Sequence, residues 1–278
     1  MPLKKIIQAS FYILLAIATA YLIVSNLPAR KQAGSFEYIR KGEALVGKGK
    51  IRESLAFFEQ AYEESPPNEN IRMSLVWAYS RYAASSIAET EDYGSAIDYL
   101  TKAYEVKANN DTATNLALAY SKMGLMKAKG GGISDAPEYY SAAREAASGY
   151  QKASRNLAIS LFSDAVTEYK EGRERTAILS LKESSLAYED YRAYELLGDI
   201  YYKRRELEKA RFNWSRAAKL SPEEKSVAER LARLEKEMGL AESESRIEMP
   251  HFDVRYEKSI PVSAEKLVAI LERAYFDV

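Results

Sequence analysis

The chain has 278 residues, with 40 basic and 40 acidic side chains, so it carries no global field that would gather nucleic acid. It has no cysteine and one histidine, His251, which excludes disulfides, thiolate chemistry and a His-rich zinc site. Tyrosine is over-represented, 21 against 8 phenylalanines, and these rings need a place in the structure.

In chain order, the first feature is the uncharged run Ile6 to Leu27. As a helix it is about 33 Å long, enough for a hydrocarbon core of about 30 Å. Lys4 and Lys5 precede it, and Pro28, Arg30 and Lys31 stop it. The expectation is a tail and transmembrane anchor over residues 1–31. A cleaved signal ending at Ala18-Thr19-Ala20 is the competing reading, although the apolar run continues past it. The flanking charges almost balance, and a short charged head crosses a membrane poorly. The expected location is therefore a bacterial inner membrane, single-pass, with the bulk on the periplasmic or extracellular side.

Residues 35–240 read as helical throughout, with glycine and proline between blocks. Self-comparison finds a period. Between Tyr191 and Glu224, Tyr194, Leu197, Gly198 and Tyr201 share one helix face, followed by Ala210, Trp214, Ala217 and Pro222. Residues 35–68 repeat the pattern with Tyr38, Gly42, Leu45, Ser54, Phe58, Ala61 and Pro66. Small residues where two helices approach, with large rings beside them, describe a packed helical hairpin. These positions resemble the tetratricopeptide repeat, a helix–turn–helix of 34 residues.

The resemblance implies an all-α solenoid of about five repeats plus a capping helix. A unit from Glu69 has Leu75 and Tyr79 in its first helix and Ala96, Leu100 and Ala103 in its second, with about eight extra residues, Ser85 to Asp92, between them. A unit from Asn110 has Leu116, Ala117 and Tyr120, and its partner helix is expected at Ala146, Tyr150 and Ala153, displaced by an insertion around Gly130–Gly132. Ala158 to Asp190 makes the fourth unit, with Ala165, Tyr169, Ala177 and Leu181, 33 residues before the fifth. Residues 222–239 form an amphipathic cap, with Val227, Leu231, Leu234 and Met238 on one face. Many of the tyrosines fall at the packing positions of the repeats and are expected there as core rings.

In proteins of this family the first helix of each pair lines a groove. The resemblance then implies a partner-binding surface of Phe36, Ile39 and Glu43, then Asn70, Met73, Trp77 and Arg81, then Thr114, Leu118 and Lys122. It continues with Phe162, Val166 and Tyr169, and ends with Arg192, Glu195, Asp199 and Tyr202. Trp77 and Arg81 are the residue types that dominate interface energetics. The lysine–asparagine clamp of some relatives is absent, because Ile39 and Glu43 occupy its first-unit positions. Lys127 to Gly132 lacks the order of a phosphate loop, and no carboxylate pair stands out as acid and base. No cofactor or metal is expected, and the reading is a membrane-anchored scaffold for protein–protein interaction, with no catalytic residues.

Residues 241–250 are polar and linker-like. His251 to Glu257 alternates, placing Phe252, Val254 and Tyr256 on one face of a strand. Ser263 then precedes a helical pattern carrying Leu267, Val268, Leu271, Ala274 and Tyr275. This strand–helix segment, 251–278, resembles the opening of peptidase-MA-like (gluzincin) domains. The alternative function is therefore the N-terminal portion of a membrane-bound zinc metallopeptidase. The family's HExxH is absent, so no catalytic residue carries over.

Overall fold

The computed structural model describes residues 33–248, 253–257, Lys266, Ile270, Leu271 and 273–275. The expected membrane span, Ile6–Leu27, and the start of the last helical pattern lie outside the described residues. No helix among the described residues is long and apolar enough to cross a membrane.

Among the described residues, ten consecutive helices are joined two by two through tight turns into five hairpins. They are α1 (residues 33–46) with α2 (Ile51–Glu64), α3 (Glu69–Thr90) with α4 (Tyr93–Val106), and α5 (Asn110–Lys129) with α6 (Ala136–Ala147). The chain continues through α7 (Gln151–Lys170) with α8 (Glu174–Ala187) and α9 (Tyr191–Lys203) with α10 (Leu207–Leu220). An eleventh helix, α11 (Lys225–Ser243), follows, then strands β1 (Glu244–Glu248) and β2 (Asp253–Glu257). The strands pair antiparallel, Glu244 opposite Glu257 and Glu248 opposite Asp253. The chain forms two compact units that divide within α7, between Asp164 and Ala165.

Local chemistry sets the helix ends. Asn68 accepts from the backbone N–H of Asn70 and Ile71 at the start of α3, and Asn109 forms a capping box with Thr112 at the start of α5. Asp190 caps α9 through Arg192 N–H. Inside each hairpin the chain turns through one left-handed residue: Gly49, Glu91, Gly131, Gly172 and Arg205 all have positive φ.

Counting from that turn residue gives one register for all five hairpins. Seven residues before it stands a small residue, and nine after it a large one. The pairs are Gly42 and Phe58, Ala84 and Leu100, Gly124 and Tyr140, Ala165 and Leu181, and Gly198 and Trp214. The three glycines make a close approach obligatory. A Cβ on Gly42 would stand 2.7 Å from Phe58 Cε2, and one on Gly124 3.0 Å from Tyr140 Cε1. On Gly198 it would overlap the Trp214 indole, 2.8 Å from Cγ and closer still to Cδ1.

This register corrects two expectations. No loop is inserted at Ser85–Asp92, because α3 runs unbroken to Thr90 and its extra two turns lie inside the helix: it has 22 residues where α9 has 13. The partner of α5 is α6, with Ala136, Tyr140, Ala143 and Ala147 buried, and not a helix at Ala146, Tyr150 and Ala153. Gly131 reverses the chain at φ 90°, so a tight turn replaces the expected displacement. Tyr150 lies in the next turn and Ala153 is buried in α7.

The expected linker 241–250 is corrected as well. Residues 241–243 continue α11, and 244–248 form β1, because the strand expected around Val254 needs a partner for its backbone and finds it there. Tyrosines fill the cores as expected: Tyr79, Tyr140 and Tyr201 are buried, while Tyr38, Tyr62, Tyr82 and Tyr99 pack half-buried against the first cluster.

Candidate functional site: the first-helix face

In the first unit, α3 presents Asn70, Met73, Trp77 and Arg81 at spacings of three and four, one stripe of the helix. All four are exposed. Trp77 is 44% exposed and Met73 42%, and Phe36 on α1 is 39% exposed. Trp77 is held edge-on by the buried Phe58 ring, with centroids 5.9 Å apart and planes at 63°. The indole is therefore anchored on one side and open on the other. Ile39 belongs to the core, at 6% exposure, and is not a groove residue. It packs in the cluster of Leu55, Phe58 and Leu75, so its apolar side chain faces α2 and α3.

Further along the same unit, Leu118 and Lys122 of α5 help to wall an open cavity of about 320 Å³. Ser80, Ala84 and Ile87 of α3 and Leu100 of α4 complete most of its lining. Lys122 Nζ donates to Asp164 Oδ1 at 2.5 Å, while Asp164 Oδ2 is buried without a hydrogen-bond partner. Thr114 turns its hydroxyl into its own helix, donating to Asn110 O at 2.6 Å. Between Glu69 and Glu89 on α3, and after Asp111 on α5, no carboxylate occurs. Among the described residues no acid pairs with Arg81.

In the second unit the expected groove residues have partners already. Arg230 of α11 donates to Asp199 Oδ1 at 2.5 Å and also to Glu195. Asp199 Oδ1 accepts from Trp214 Nε1 at 3.0 Å as well. Tyr202 donates to Glu237 Oε2 at 2.9 Å, and the Tyr202 ring lies 5.4 Å from that of Trp214. Glu195, Asp199 and Tyr202 thus hold the cap. Arg192 folds back on Asp190 (2.9 Å), and Tyr169 accepts from Lys203 Nζ at 2.9 Å. Burial opposes the Arg230 charge, and the two carboxylates overcome it, holding its pKa above the ordinary arginine value. The sequence reading named the cap but missed Arg230 and Glu237. The signal available was the acid pair Glu195 and Asp199, one turn apart, which a cation two helices on can neutralise.

Of the expected groove, the first unit therefore brings together Met73, Trp77 and Arg81 on one stripe of α3, and Leu118 with Lys122 at the cavity. Phe162 and Val166 are half-buried on α7. Among the described residues, no group of three or more His, Asp or Glu side chains could hold a metal ion.

Comparison with known proteins matches residues 38–68, within α1 and α2 and their flanking turns, to the tetratricopeptide repeat family. No curated protein matches in sequence. Among solved structures, BtubC (BKLC) from P. vanneervenii is 14% identical, with 89% of this chain and 94% of that one covered, at a TM-score of 0.33. YrrB, described as a TPR protein with an unusual peptide-binding site, is 18% identical over 74% of this chain and 95% of its own, at 0.31. TTC0263 from Thermus thermophilus, described as a thermophilic TPR protein, is 16% identical over 72% and 98%, at 0.26. The sequence match covers the first hairpin, and the turn-based register repeats the same pair of a small and a large residue in the four that follow.

Proposed function

We propose that this protein is a scaffold that binds an extended segment of a protein partner along α3 and α5 of its first unit. The observation that carries the reading is the contrast between the two tryptophans. Trp214 is 3% exposed and hydrogen-bonded, whereas Trp77 is 44% exposed, one turn from Met73 at 42%. Clustered exposed apolar side chains on a folded protein mark an interaction surface. Tryptophan and arginine one turn apart supply the usual anchors.

Selection of displayed random peptides against the full chain tests this reading. Binding peptides should emerge, and Trp77→Ala should weaken them by about 2 kcal/mol, the threshold of a hot spot. Helical content should stay unchanged. Peptides that bind Trp77→Ala as tightly as the parent would place the site elsewhere.

We further propose that residues 6–27 tether the scaffold to a membrane, on the strength of their uncharged spanning length. The full chain should then stay in the pellet after carbonate extraction. A soluble chain beginning near Tyr21 would indicate a cleaved signal instead.

A further inference from the structure

The shared register singles out one hairpin. In the others the small residue is buried under its large partner: Phe58 covers Gly42, Tyr140 covers Gly124, Trp214 covers Gly198, and Ala165 and Leu181 are fully buried. In the second hairpin the pair is Ala84 and Leu100, and Ala84 remains exposed. Leu100 leaves the position open, and the cavity of about 320 Å³ lies there, lined mainly by Ala84, Ile87, Tyr93, Leu100 and Leu118, with Asn115 and Lys122 among its polar lining. That volume is at the lower end of ligand pockets, about 300 Å³, so it suits a side chain rather than a helix.

Charge adds a second, independent observation. Trp77, Arg81 and Ala84 follow one another at four and three residues, on one stripe of α3. Arg81 is exposed, and among the described residues it has no acidic partner. Between Glu69 and Glu89 on α3, and after Asp111 on α5, no carboxylate occurs, and Asp164 is already bonded to Lys122. An uncompensated cation between an open indole and an open apolar cavity favours a ligand carrying a carboxylate beside an apolar group.

We infer that the Ala84–Leu100 cavity is a specificity pocket that receives a bulky aliphatic or aromatic side chain of the partner peptide, with an adjacent Asp or Glu of that peptide pairing with Arg81. The inference rests on the groove reading proposed above and adds the chemistry of its ligand.

The test uses the peptides selected on the full chain, resynthesised with a fluorescein label and titrated by anisotropy. The selected peptides should carry a bulky apolar residue within three positions of Asp or Glu. Ala84→Trp, which fills the cavity from an exposed position, should weaken them at least tenfold. Arg81→Glu should weaken the acidic peptides at least tenfold, and their Asn or Gln versions less than threefold. Trp77-dependent peptides without a carboxylate, or with unchanged affinity for Ala84→Trp and Arg81→Glu, would overturn the inference and leave the groove reading standing. Failure to select any Trp77-dependent peptide would overturn both. Arg81→Glu changes an exposed side chain, so it decides the charge half of the inference even if Ala84→Trp fails to fold.

Discussion

The Trp214 ring occupies the space that a side chain on Gly198 would need, and the Tyr140 ring only grazes the corresponding space at Gly124. The hypothetical Cβ falls 2.8 Å from Trp214 Cγ and closer still to Cδ1, against 3.0 Å from Tyr140 Cε1. Gly198→Ala should therefore destabilise the protein more than Gly124→Ala, about 2 against about 1 kcal/mol, within the usual range for overpacking. Gly239, near the end of α11, has no described atom within 4 Å of such a Cβ. Gly239→Ala should raise stability by about 0.5–1 kcal/mol through helix propensity alone. Denaturant melts of the three variants check the order, and equal effects at Gly198 and Gly124 would contradict the packing.

Glu91 holds the left-handed turn position that glycine holds in three of the other hairpins, with φ 52°. An L residue there costs about 1–2 kcal/mol, and glycine's extra chain entropy offsets about 0.5–1 of it. Glu91→Gly should stabilise the protein by about 0.5–1 kcal/mol. An unchanged or lowered midpoint in urea would show that the turn is not strained there.

How much of this was legible depended on where the frame was counted from. The fifth hairpin could be read directly, because Gly198, Trp214 and Ala217 sit at the family's spacing from the start of α9. The fourth could be read from its offset of 33 residues, which sets Ala165 and Leu181 in register with Gly198 and Trp214. Hairpins two and three could not be read in frame, because α3 and α5 begin about two turns earlier than α9 does relative to their turns. That extra length shifted every position counted from the helix start, which is how Ser85–Asp92 came to read as an insertion. Counting from the turn restores the frame, but Glu91 and Arg205 hide two of the turns from a search for glycine. The alanine-rich stretch Ala142–Ala147 offered several equivalent registers, so Tyr140 was overlooked. The cap's hold on Glu195 and Asp199 was invisible for another reason: it depends on a contact across 31 residues or more, which periodicity does not report.

Tyr79 gives the first unit a sensitivity to high pH. Burial raises its pKa well above 10, and its hydrogen bond to Glu59 Oε1, at 2.9 Å, raises it further. A folded-state pKa above the unfolded one means that the folded protein holds this proton more tightly. The resulting stabilisation is complete below about pH 10 and is lost as pH rises beyond it. Tyr79→Phe should be destabilising by about 1 kcal/mol at pH 7, the value of one hydrogen bond. Its melting temperature should then fall less than the parent's between pH 9 and pH 11. Parallel curves for the two proteins would assign the alkaline loss to other tyrosines.

Arg230 is the residue through which α11 closes the second unit. Arg230→Ala leaves Asp199 and Glu195 one turn apart without their cation, and should cost about 1–2 kcal/mol after allowance for solvent screening. Amide exchange should accelerate through residues 225–239 more than through α9 and α10. Uniform exchange along the chain would mean that the cap is held without Arg230, by the buried Val227 and Leu234 and the Tyr202–Glu237 hydrogen bond.

The central claim is that the open face of Trp77 receives a partner, and the indole itself can report it. Trp214→Phe leaves Trp77 as the only tryptophan of the full chain. Titration of that variant with a peptide selected on the parent protein should shift the Trp77 emission to shorter wavelength, saturably and at one peptide per chain, as the ring leaves water. A peptide that binds the variant with the parent's affinity while the emission stays at its solvent-exposed maximum would contradict the claim.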